Sequence, residues 1–167
     1  MRKTWKIGDR VVELLEEEDA EEIEDLLKSV WPYAEDYPDE WRKRRALSAD
    51  EVREEMRSGY FYFGIREEGR VVALYKAKIY DDICLGEHLS VHPDFRRRGL
   101  SRTLYAHIIT FAKEMGCRRV HVNILPHQEA SVRLVTRYGF KKIKEYEQIP
   151  GMLVHLYEKI VAEEDES

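Results

Sequence analysis

The amino-acid sequence predicts an α/β fold, in which a mixed, mostly antiparallel central sheet carries helices on both faces. Segments with the 3.6-residue period of amphipathic helices alternate with extended apolar segments, in the order β-α-α-β-β-β-α-β-α-β-β. A chain of 167 residues with 43% hydrophobic residues is long enough to bury a real core. We therefore expect a single domain over residues 1–162 and a disordered acidic tail over residues 163–167.

Each element is predicted from its periodicity and its end signals. The strands are expected at 11–15, 60–65, 71–80, 83–91, 119–124, 141–148 and 152–160, with 1–9 as a frayed or edge segment. The helices are expected at 19–30, 48–59, 100–115 and 128–138. Asp19 is placed to cap the first helix, and Ser48 and Glu51 have the spacing of a capping box for the second. The apolar face of the third helix is expected to extend to Met115.

Charge and composition narrow the classes of partner. A net charge of −5 argues against a nucleic-acid-binding surface. No apolar run approaches the ~20 residues of a membrane span, and no signal-peptide core follows the N-terminus. We therefore expect a soluble, cytoplasmic protein without a nucleic-acid or membrane partner. Its oligomeric state stays open, with a homodimer among the alternatives.

The two cysteines, Cys84 and Cys117, have no metal-binding spacing, and an intracellular setting disfavours a disulfide between them. We expect both to be buried core residues, and a nucleophilic cysteine is the alternative.

Residues 85–102, LGEHLSVHPDFRRRGLSR, join an extended segment to a basic, glycine-bearing loop and the start of a helix. Backbone N–H groups of such a loop and of the first helical turn can point at one phosphate group. The positive end of the helix dipole and the arginines favour negative charge at the same place. The stretch predicts an anion site, and a merely solvated basic turn is the alternative.

The spacing Arg96-x-x-Gly99-x-Ser101 resembles the Q/R-x-x-G-x-G/A signature of the GNAT superfamily, the acyl-CoA-dependent N-acyltransferases. The preceding L-S-V-H-P-D-F is similar to the fourth strand of that family and its turn. The block Gln128-x-x-Ser131-x-x-Leu134, followed by Gly139-Phe140, resembles the family's downstream motif. Order and spacing agree over about residues 13–160.

The resemblance implies a GNAT-like fold in which the fourth and fifth predicted strands, 83–91 and 119–124, splay apart near a β-bulge. It implies acetyl-CoA as co-substrate and no metal. The pantetheine arm would pair with strand 83–91, and the pyrophosphate would lie on the basic loop. The implied cofactor-binding residues are Leu89, Val91, Arg96, Arg97, Arg98, Gly99, Leu100, Ser101, Arg102, Asn123, Gln128 and Ser131.

For catalysis, the resemblance implies that the backbone N–H of Leu89 polarises the thioester carbonyl. Strand alternation would put Glu87 on the same face as Leu89 and Val91, so Glu87 is our candidate general base. A solvated or ion-paired strand glutamate is the alternative reading, and His88 is the second candidate base. The tyrosine with which the family protonates the departing thiolate falls on Val135, so we consider Tyr138 as its substitute.

Residues 31–47 combine two prolines with several aromatic side chains. They form either a connector packed on the sheet or one wall of the acceptor pocket, and the resemblance favours the wall, with Trp31, Tyr33 and Tyr37 as candidate substrate contacts. Acidic side chains that could draw a cationic amine, or could be ordinary surface charge, are Glu35, Asp36, Asp39, Asp81 and Asp82.

The sequence thus predicts an N-acetyltransferase that acts by direct attack of a primary amine on acetyl-CoA in a ternary complex. The amine would belong to a small molecule, a polyamine, a protein lysine or an N-terminus. A catalytically weak acyl-CoA-binding sensor or scaffold module is the alternative. A nucleotide-phosphate site is disfavoured because the loop lacks the G-x-x-x-x-G-K-[S/T] pattern.

Overall fold

The computed structural model describes residues 2–162 of the 167-residue chain. Its strands are β1 Thr4–Ile7, β2 Arg10–Leu15, β3 Phe61–Glu67, β4 Arg70–Tyr80, β5 Ile83–Val91, β6 Arg119–Ile124, β7 Lys141–Ile149 and β8 Met152–Ile160. Its α-helices are α1 Ala20–Val30, α2 Asp39–Arg45, α3 Ala49–Arg57, α4 Leu100–Glu114 and α5 Glu129–Arg137. The eight strands form one mixed sheet in the order β1-β2-β3-β4-β5-β6-β8-β7. The predicted acidic tail, 163–167, lies outside the described residues.

The α/β class and the order of the predicted elements are confirmed, and the structure adds two elements. β1 lies within the segment predicted as frayed or edge structure, and it pairs antiparallel with β2. No helix was predicted within residues 31–47, because a proline inside a segment disfavours a helix. Pro38 instead precedes the first turn, where its carbonyl accepts from the N–H groups of Trp41 and Arg42. The acidic start and basic end of α2 both suit the helix dipole.

The described residues fall into two compact units, one of 2–77 and 88–104 and one of 78–87 and 105–162. The core of the first unit lies between α1, α3 and the strands β2 to β4. It includes completely buried side chains of Ile23, Leu27, Val52 and Leu74. The apolar residues of α1 recur at helical spacing, so one stripe of that helix faces this core.

The predicted capping box of α3 is confirmed, because Ser48 Oγ accepts from the Glu51 N–H and Glu51 Oε1 accepts from the Ser48 N–H. The prediction that the Asp19 side chain caps α1 was wrong. Asp19 makes no side-chain cap to α1, and its buried carboxylate instead accepts from Arg2, Arg66 and the Glu16 N–H. Two guanidinium groups compete more strongly for this carboxylate than one helix-end N–H group does.

The β3–β4 hairpin turns at Glu68 and Gly69, whose φ angles of 53° and 79° are those of a type I′ turn. The final hairpin, β7–β8, turns at Pro150 and Gly151, and Gly151 has a φ angle of 80°. Both turns therefore have a glycine at a position with a positive φ angle, where glycine is least strained.

In the second unit, the first part of β5 pairs in parallel with β6, from Ile83 opposite Arg119 to Gly86 opposite Val122. β8 pairs antiparallel with both β6 and β7. Gly86 is required at its position, because a Cβ there would lie 2.5 Å from Ile108 Cδ1. The absent side chain lets α4 pack closely on β5.

Two further expectations have outcomes in the second unit. Met115 follows the last residue of α4 and is 47% exposed. The prediction that the apolar face of this helix extends to Met115 was therefore wrong. Cys84 and Cys117 are buried free thiols, as predicted. Burial, with a contribution from Cys117, raises the pKa of Cys84 to about 12, so Cys84 is a neutral thiol at neutral pH.

Among residues 2–162, no helix is long and apolar enough to cross a membrane.

Asp19 gives a prediction for acid stability. Its burial alone would raise the pKa, but the hydrogen bonds from Arg2 and Glu16 and the charges of Arg2 and Arg66 hold the pKa below the ordinary value. The stabilisation is therefore complete above the unfolded-state pKa of about 4 and is lost as the pH falls through the lower native-state pKa. Asp19→Asn should lower the free energy of unfolding by about 2 kcal/mol at pH 7.

Urea unfolding at pH 7 and at pH 3 measures this difference, with Asp25→Asn on the exposed face of α1 as control. The difference in the free energy of unfolding between wild type and Asp19→Asn should be smaller at pH 3 than at pH 7. A difference that does not change with pH would show that the ionised Asp19 carboxylate is not the source of the stabilisation.

Gly86 gives a packing prediction. Gly86→Ala should destabilise the protein by about 1–3 kcal/mol, because the new methyl group overlaps Ile108 Cδ1. Adding Ile108→Val removes that atom, so the double variant should be more stable than the sum of the two single effects. Thermal unfolding of the four proteins tests this, and strict additivity would show that the contact is not the cause.

Candidate functional site

The basic loop begins after β5 with a 3-10 turn at Pro93–Phe95, where His92 Nδ1 accepts from the Asp94 N–H. Arg97 and Gly99 then both adopt positive φ angles, 64° and 78°. The Gly99 carbonyl accepts from both the N–H and the Oγ1 of Thr103. These are the first hydrogen bonds of α4, whose first residue is Leu100. Helix geometry leaves the N–H groups of the first turn without intrahelical partners, and here they follow directly on the loop.

The arginines of this loop have different surroundings. The side chains of Arg96 and Arg97 are exposed and form no ion pair with any residue from 2 to 162. Arg98 is instead held by Glu67 at 3.3 Å and lies over the ring of Phe95. The charge available to an outside anion therefore comes mainly from the first two arginines.

The position of Gly99 is open. A Cβ added there would meet no atom within 4 Å, so the backbone is accessible from that side. The other predicted loop residues form the wall around it, with Leu100 buried, Ser101 half-buried and Arg102 exposed. An accessible backbone, exposed arginines and a helix N-terminus are the features that a phosphate group requires, so the predicted residues fit a pyrophosphate.

The strand that precedes the loop is irregular at one residue. His88 has a φ of 57°, in the region where the resemblance implies a β-bulge, and the recorded pairing with β6 has already ended at Gly86. Glu87, Leu89 and Val91 are half-buried. Their predicted common face assumed a regular extended backbone, so that argument for Glu87 no longer applies.

His88 is the second candidate base, and its surroundings keep it neutral. Burial lowers its pKa well below 6.5, and the positive charges of Arg45 and Lys76 lower it further. Its carbonyl accepts from Ser90 Oγ at 2.8 Å, and Ser90 Oγ accepts from Trp31 Nε1 at 2.9 Å. His88 is thus a weak base in a positively charged environment.

The aromatic segment 31–47 is packed around a cation. Arg45 lies over the rings of Trp31 and Trp41, with its guanidinium carbon 4.7 Å and 3.8 Å from their centroids. Tyr37 stacks on Trp41 and meets Trp31 edge-on. Tyr33 is 75% exposed, whereas Trp31 is 3% exposed. Only two of the three candidate substrate contacts are therefore brought together.

Sequence reasoning missed Lys76, which is 2% exposed in the middle of β4. Its Nζ lies 2.8 Å from Glu55 Oε1, Glu55 also accepts from the Tyr62 hydroxyl, and Tyr60 lies below the ammonium group. The signal was available, since a lysine inside the apolar run VVALYKAKIY occupies an inward position.

In the second unit, strand register places four polar side chains on one face. Asn123 lies opposite Leu156 on β8, and Tyr146 lies opposite Val154, two residues away on that strand. Glu87, two residues after Leu85, shares the face of His121 and Asn123. Tyr146 was not a predicted site residue, although it is an aromatic residue in an otherwise polar strand.

Asn123 and Glu87 both influence the pKa of the Tyr146 hydroxyl. Burial raises its pKa, a hydrogen bond with Asn123 lowers it, and the charge of Glu87 raises it. Asn123 Oδ1 is buried and has no hydrogen-bond partner within residues 2–162. Next to them, His121 Nε2 lies 2.8 Å from Glu158 Oε2.

The remaining predicted residues lie on or near α5. Val135, at the position of the family tyrosine, is completely buried, and Tyr138 is the half-buried residue that ends the helix. Gln128 Oε1 accepts from the Leu125 N–H, so its carbonyl is used within the loop. Ser131 is half-buried. Within residues 2–162, no group of three or more His, Cys, Asp or Glu side chains is placed to share a metal ion.

Comparison with known proteins agrees with this geometry. Residues 20–140 match the family model described as acetyltransferase (GNAT) family. No curated protein matches the chain. Many solved structures share the fold.

Three of these structures illustrate the likeness. The ribosomal-protein-S18-alanine N-acetyltransferase of Escherichia coli has 18% identity and a TM-score of 0.75, over 93% of this chain and 96% of that one. YncA of Salmonella typhimurium, solved with its cofactor acetyl-CoA, has 18% identity and a TM-score of 0.74, over 93% and 95%. The PaiA N-acetyltransferase of Thermoplasma acidophilum, in complex with coenzyme A, has 19% identity and a TM-score of 0.72, over 89% and 98%.

Identities this low show the fold alone, whereas the family match covers well over half of the chain. The open glycine loop at the start of α4 and the matched residues 20–140 lead to one conclusion: this chain belongs to the GNAT family of acetyltransferases.

Proposed function

We propose that this protein transfers the acetyl group of acetyl-CoA to a primary amine by direct attack in a ternary complex. The observation that carries the proposal is the accessible backbone at Gly99, between two exposed arginines and the N-terminus of α4. This loop would hold the pyrophosphate through N–H groups, with Arg96 and Arg97 adding charge. YncA and PaiA, which share the fold, were solved with acetyl-CoA and coenzyme A respectively.

β5 would align the acyl group. The amide groups of a pantetheine arm can pair with a strand as another strand does, and Leu89 and Val91 supply the backbone groups for this. The Leu89 N–H would then donate to the thioester carbonyl and stabilise the negative charge that develops on its oxygen. Asn123, whose buried Oδ1 has no hydrogen-bond partner among residues 2–162, would accept from an N–H group of the arm or of the acceptor.

Glu87 would accept the proton that the attacking amine loses. A lysine-like amine has a pKa of ~10.4 and is mostly protonated at neutral pH, so a base is required. Glu87 is half-buried and immediately follows the last residue of β5 that pairs with β6. His88 suits the role less, because Arg45 and Lys76 oppose any positive charge on its ring.

For the acceptor, Trp31 and Tyr37 would form a wall around Arg45. Asp39, one of the acidic residues considered for drawing a cationic amine, is paired with Arg42 on α2. A panel of a small amine, a polyamine, a lysine peptide and a free peptide N-terminus, each with acetyl-CoA, identifies the acceptor class. Acetyl-CoA binding without turnover on any member would favour the sensor or scaffold alternative.

Gly99→Ala should weaken acetyl-CoA binding about tenfold, equivalent to about 1.4 kcal/mol, because the new methyl group occupies the side from which phosphate approaches. Titration calorimetry measures the dissociation constant. Gly69→Ala is a matched control, since its φ of 79° imposes the same backbone strain and its Cβ also meets no atom within 4 Å.

Both alanine variants should lose similar thermal stability, and only Gly99→Ala should lose affinity. Wild-type protein that binds no acetyl-CoA at hundreds of micromolar would overturn the proposed function itself.

Glu87→Gln should reduce turnover about 100-fold at pH 7 while acetyl-CoA binding stays unchanged. The deficit should shrink as the pH rises toward the amine pKa of ~10.4, because the amine then arrives already deprotonated. Steady-state rates between pH 7 and 10 measure this, with Glu54→Gln on the exposed face of α3 as control. A deficit that does not change with pH would exclude Glu87 as the base.

A further inference from the structure

One arginine outside the basic loop binds the backbone of that loop. Arg10, the first residue of β2, donates from Nη2 to the carbonyl oxygen of Arg98 at 2.7 Å. Its Nη1 lies 2.7 Å from Glu67 Oε1, and Glu67 Oε2 lies 3.3 Å from Arg98 Nη1. The Arg10–Glu67 ion pair therefore contacts both the backbone and the side chain of Arg98. All three residues belong to the first unit.

The contact with Arg10 fixes the direction of one peptide group. The peptide bond between Arg98 and Gly99 is trans, as are all others within residues 2–162, so its C=O and N–H groups point in opposite directions. Because Arg10 binds the C=O group, the Gly99 N–H points away from Arg10. This N–H belongs to the residue whose backbone is accessible, since a Cβ at position 99 would meet no atom within 4 Å.

The loop requires such a contact, because its own residues leave the direction of this peptide group open. Glycine adopts positive and negative φ angles about equally readily, so the peptide group before Gly99 can rotate at little steric cost. Arg97 has a φ angle of 64°, a conformation that is strained for a residue other than glycine and that neighbouring groups must stabilise. Arg98 lies between these two residues, so the hydrogen bond to its carbonyl selects one orientation of the backbone.

The same contact contributes little to the stability of the whole protein. The side chains of Arg10 and Glu67 are 27% and 25% exposed, and ion pairs near the surface add little to the free energy of unfolding. The main effect of Arg10 is therefore expected on the local geometry of the loop.

We propose that Arg10 is a positioning residue for the co-substrate: it holds the peptide group between Arg98 and Gly99 so that the Gly99 N–H donates to a phosphate group of acetyl-CoA. Glu67 supports this role by fixing the guanidinium group of Arg10 and by holding the Arg98 side chain. The inference rests on the proposed function and adds to it a residue from β2, outside the basic loop. Arg10 acts through the backbone and is not itself a phosphate contact.

Arg10→Met removes the donors and keeps the aliphatic part of the side chain. The dissociation constant for acetyl-CoA, measured by titration calorimetry, should rise about tenfold, because the Gly99 N–H is no longer held toward the phosphate group. In steady-state assays, KM for acetyl-CoA should rise to a similar extent, while kcat at saturating acetyl-CoA stays unchanged.

Arg70→Met is the matched control for charge. Arg70 lies over the ring of Phe95 in the same loop, with its guanidinium carbon 5.3 Å from the ring centroid, and its substitution removes the same charge. This variant should keep the wild-type affinity for acetyl-CoA. Equal losses in Arg70→Met and Arg10→Met would show that Arg10 contributes only charge and would overturn the inference.

Glu67→Ala separates positioning from charge, because the two explanations predict opposite results. The substitution removes a negative charge near the loop and releases Arg98, so charge alone predicts tighter binding of the anionic co-substrate. Positioning predicts binding that is weaker by about threefold, because Arg10 loses the partner that fixes it. Unchanged or tighter binding by Glu67→Ala would contradict the role of the ion pair.

The Gly99 amide group gives a direct readout. The protein contains nine glycines, so ¹⁵N labelling of glycine gives a simple spectrum in which Gly99→Ala identifies the Gly99 signal. Coenzyme A, which has no acetyl group to transfer, should move the Gly99 proton signal downfield in the wild type. At saturation, the movement should be much smaller in Arg10→Met. Equal movements in the two proteins would exclude a positioning role.

The outcomes distinguish this inference from the proposed function. If the wild type binds no acetyl-CoA at hundreds of micromolar, the proposed function fails. If the wild type binds acetyl-CoA and Arg10→Met binds it equally well, the positioning role fails alone. Thermal unfolding of each variant verifies that it is folded, and similar melting temperatures are expected throughout.

Discussion

The backbone conformation of His88 is the constraint on which the rest of the site depends. The left-handed backbone conformation costs a residue other than glycine about 1 kcal/mol or more, and it persists only where neighbouring groups stabilise it. Here the Ser90 hydroxyl accepts from Trp31 and donates to the His88 carbonyl, and the His88 Nδ1 atom is buried. The pairing recorded between β5 and β6 ends two residues earlier, at Gly86. The residues before and after His88 are therefore not related to each other by simple strand alternation.

Each compact unit contains a different electrostatic environment. In the first unit, Arg45 and Lys76 surround His88 with positive charge, and Glu55 compensates Lys76. Removing one partner of such a buried ion pair lowers the stability of the protein, because the other charge stays buried without a partner. In the second unit, Glu87 contributes negative charge beside a neutral phenol. Of the two candidate bases, the Glu87 carboxylate becomes neutral when it accepts a proton, whereas the His88 ring becomes charged.

The basic loop between β5 and α4 depends on local backbone geometry and not on strand register. Arg97 and Gly99 both have positive φ angles, and the Gly99 carbonyl begins α4 through Thr103. Glu67 holds Arg98 against the protein surface, which leaves Arg96 and Arg97 as the exposed charges. The order strand, loop and helix N-terminus is thus sufficient to present N–H groups and charge together.

The sequence by itself determined the fold class and the family, and it located the basic loop before α4, because these depend on local signals. Hydrophobic periodicity, the Ser48 capping box, the Glu68-Gly69 turn and the Arg96–Ser101 spacing each act within a few residues. Two local signals gave wrong predictions, since Pro38 precedes α2 and Asp19 binds arginines without capping α1. Only the tertiary structure decided the irregularity at His88, the buried pair of Lys76 with Glu55, and the common face of Glu87, Asn123 and Tyr146. Those side chains come from segments far apart in the chain, and strand register, which a sequence pattern does not specify, brings them together.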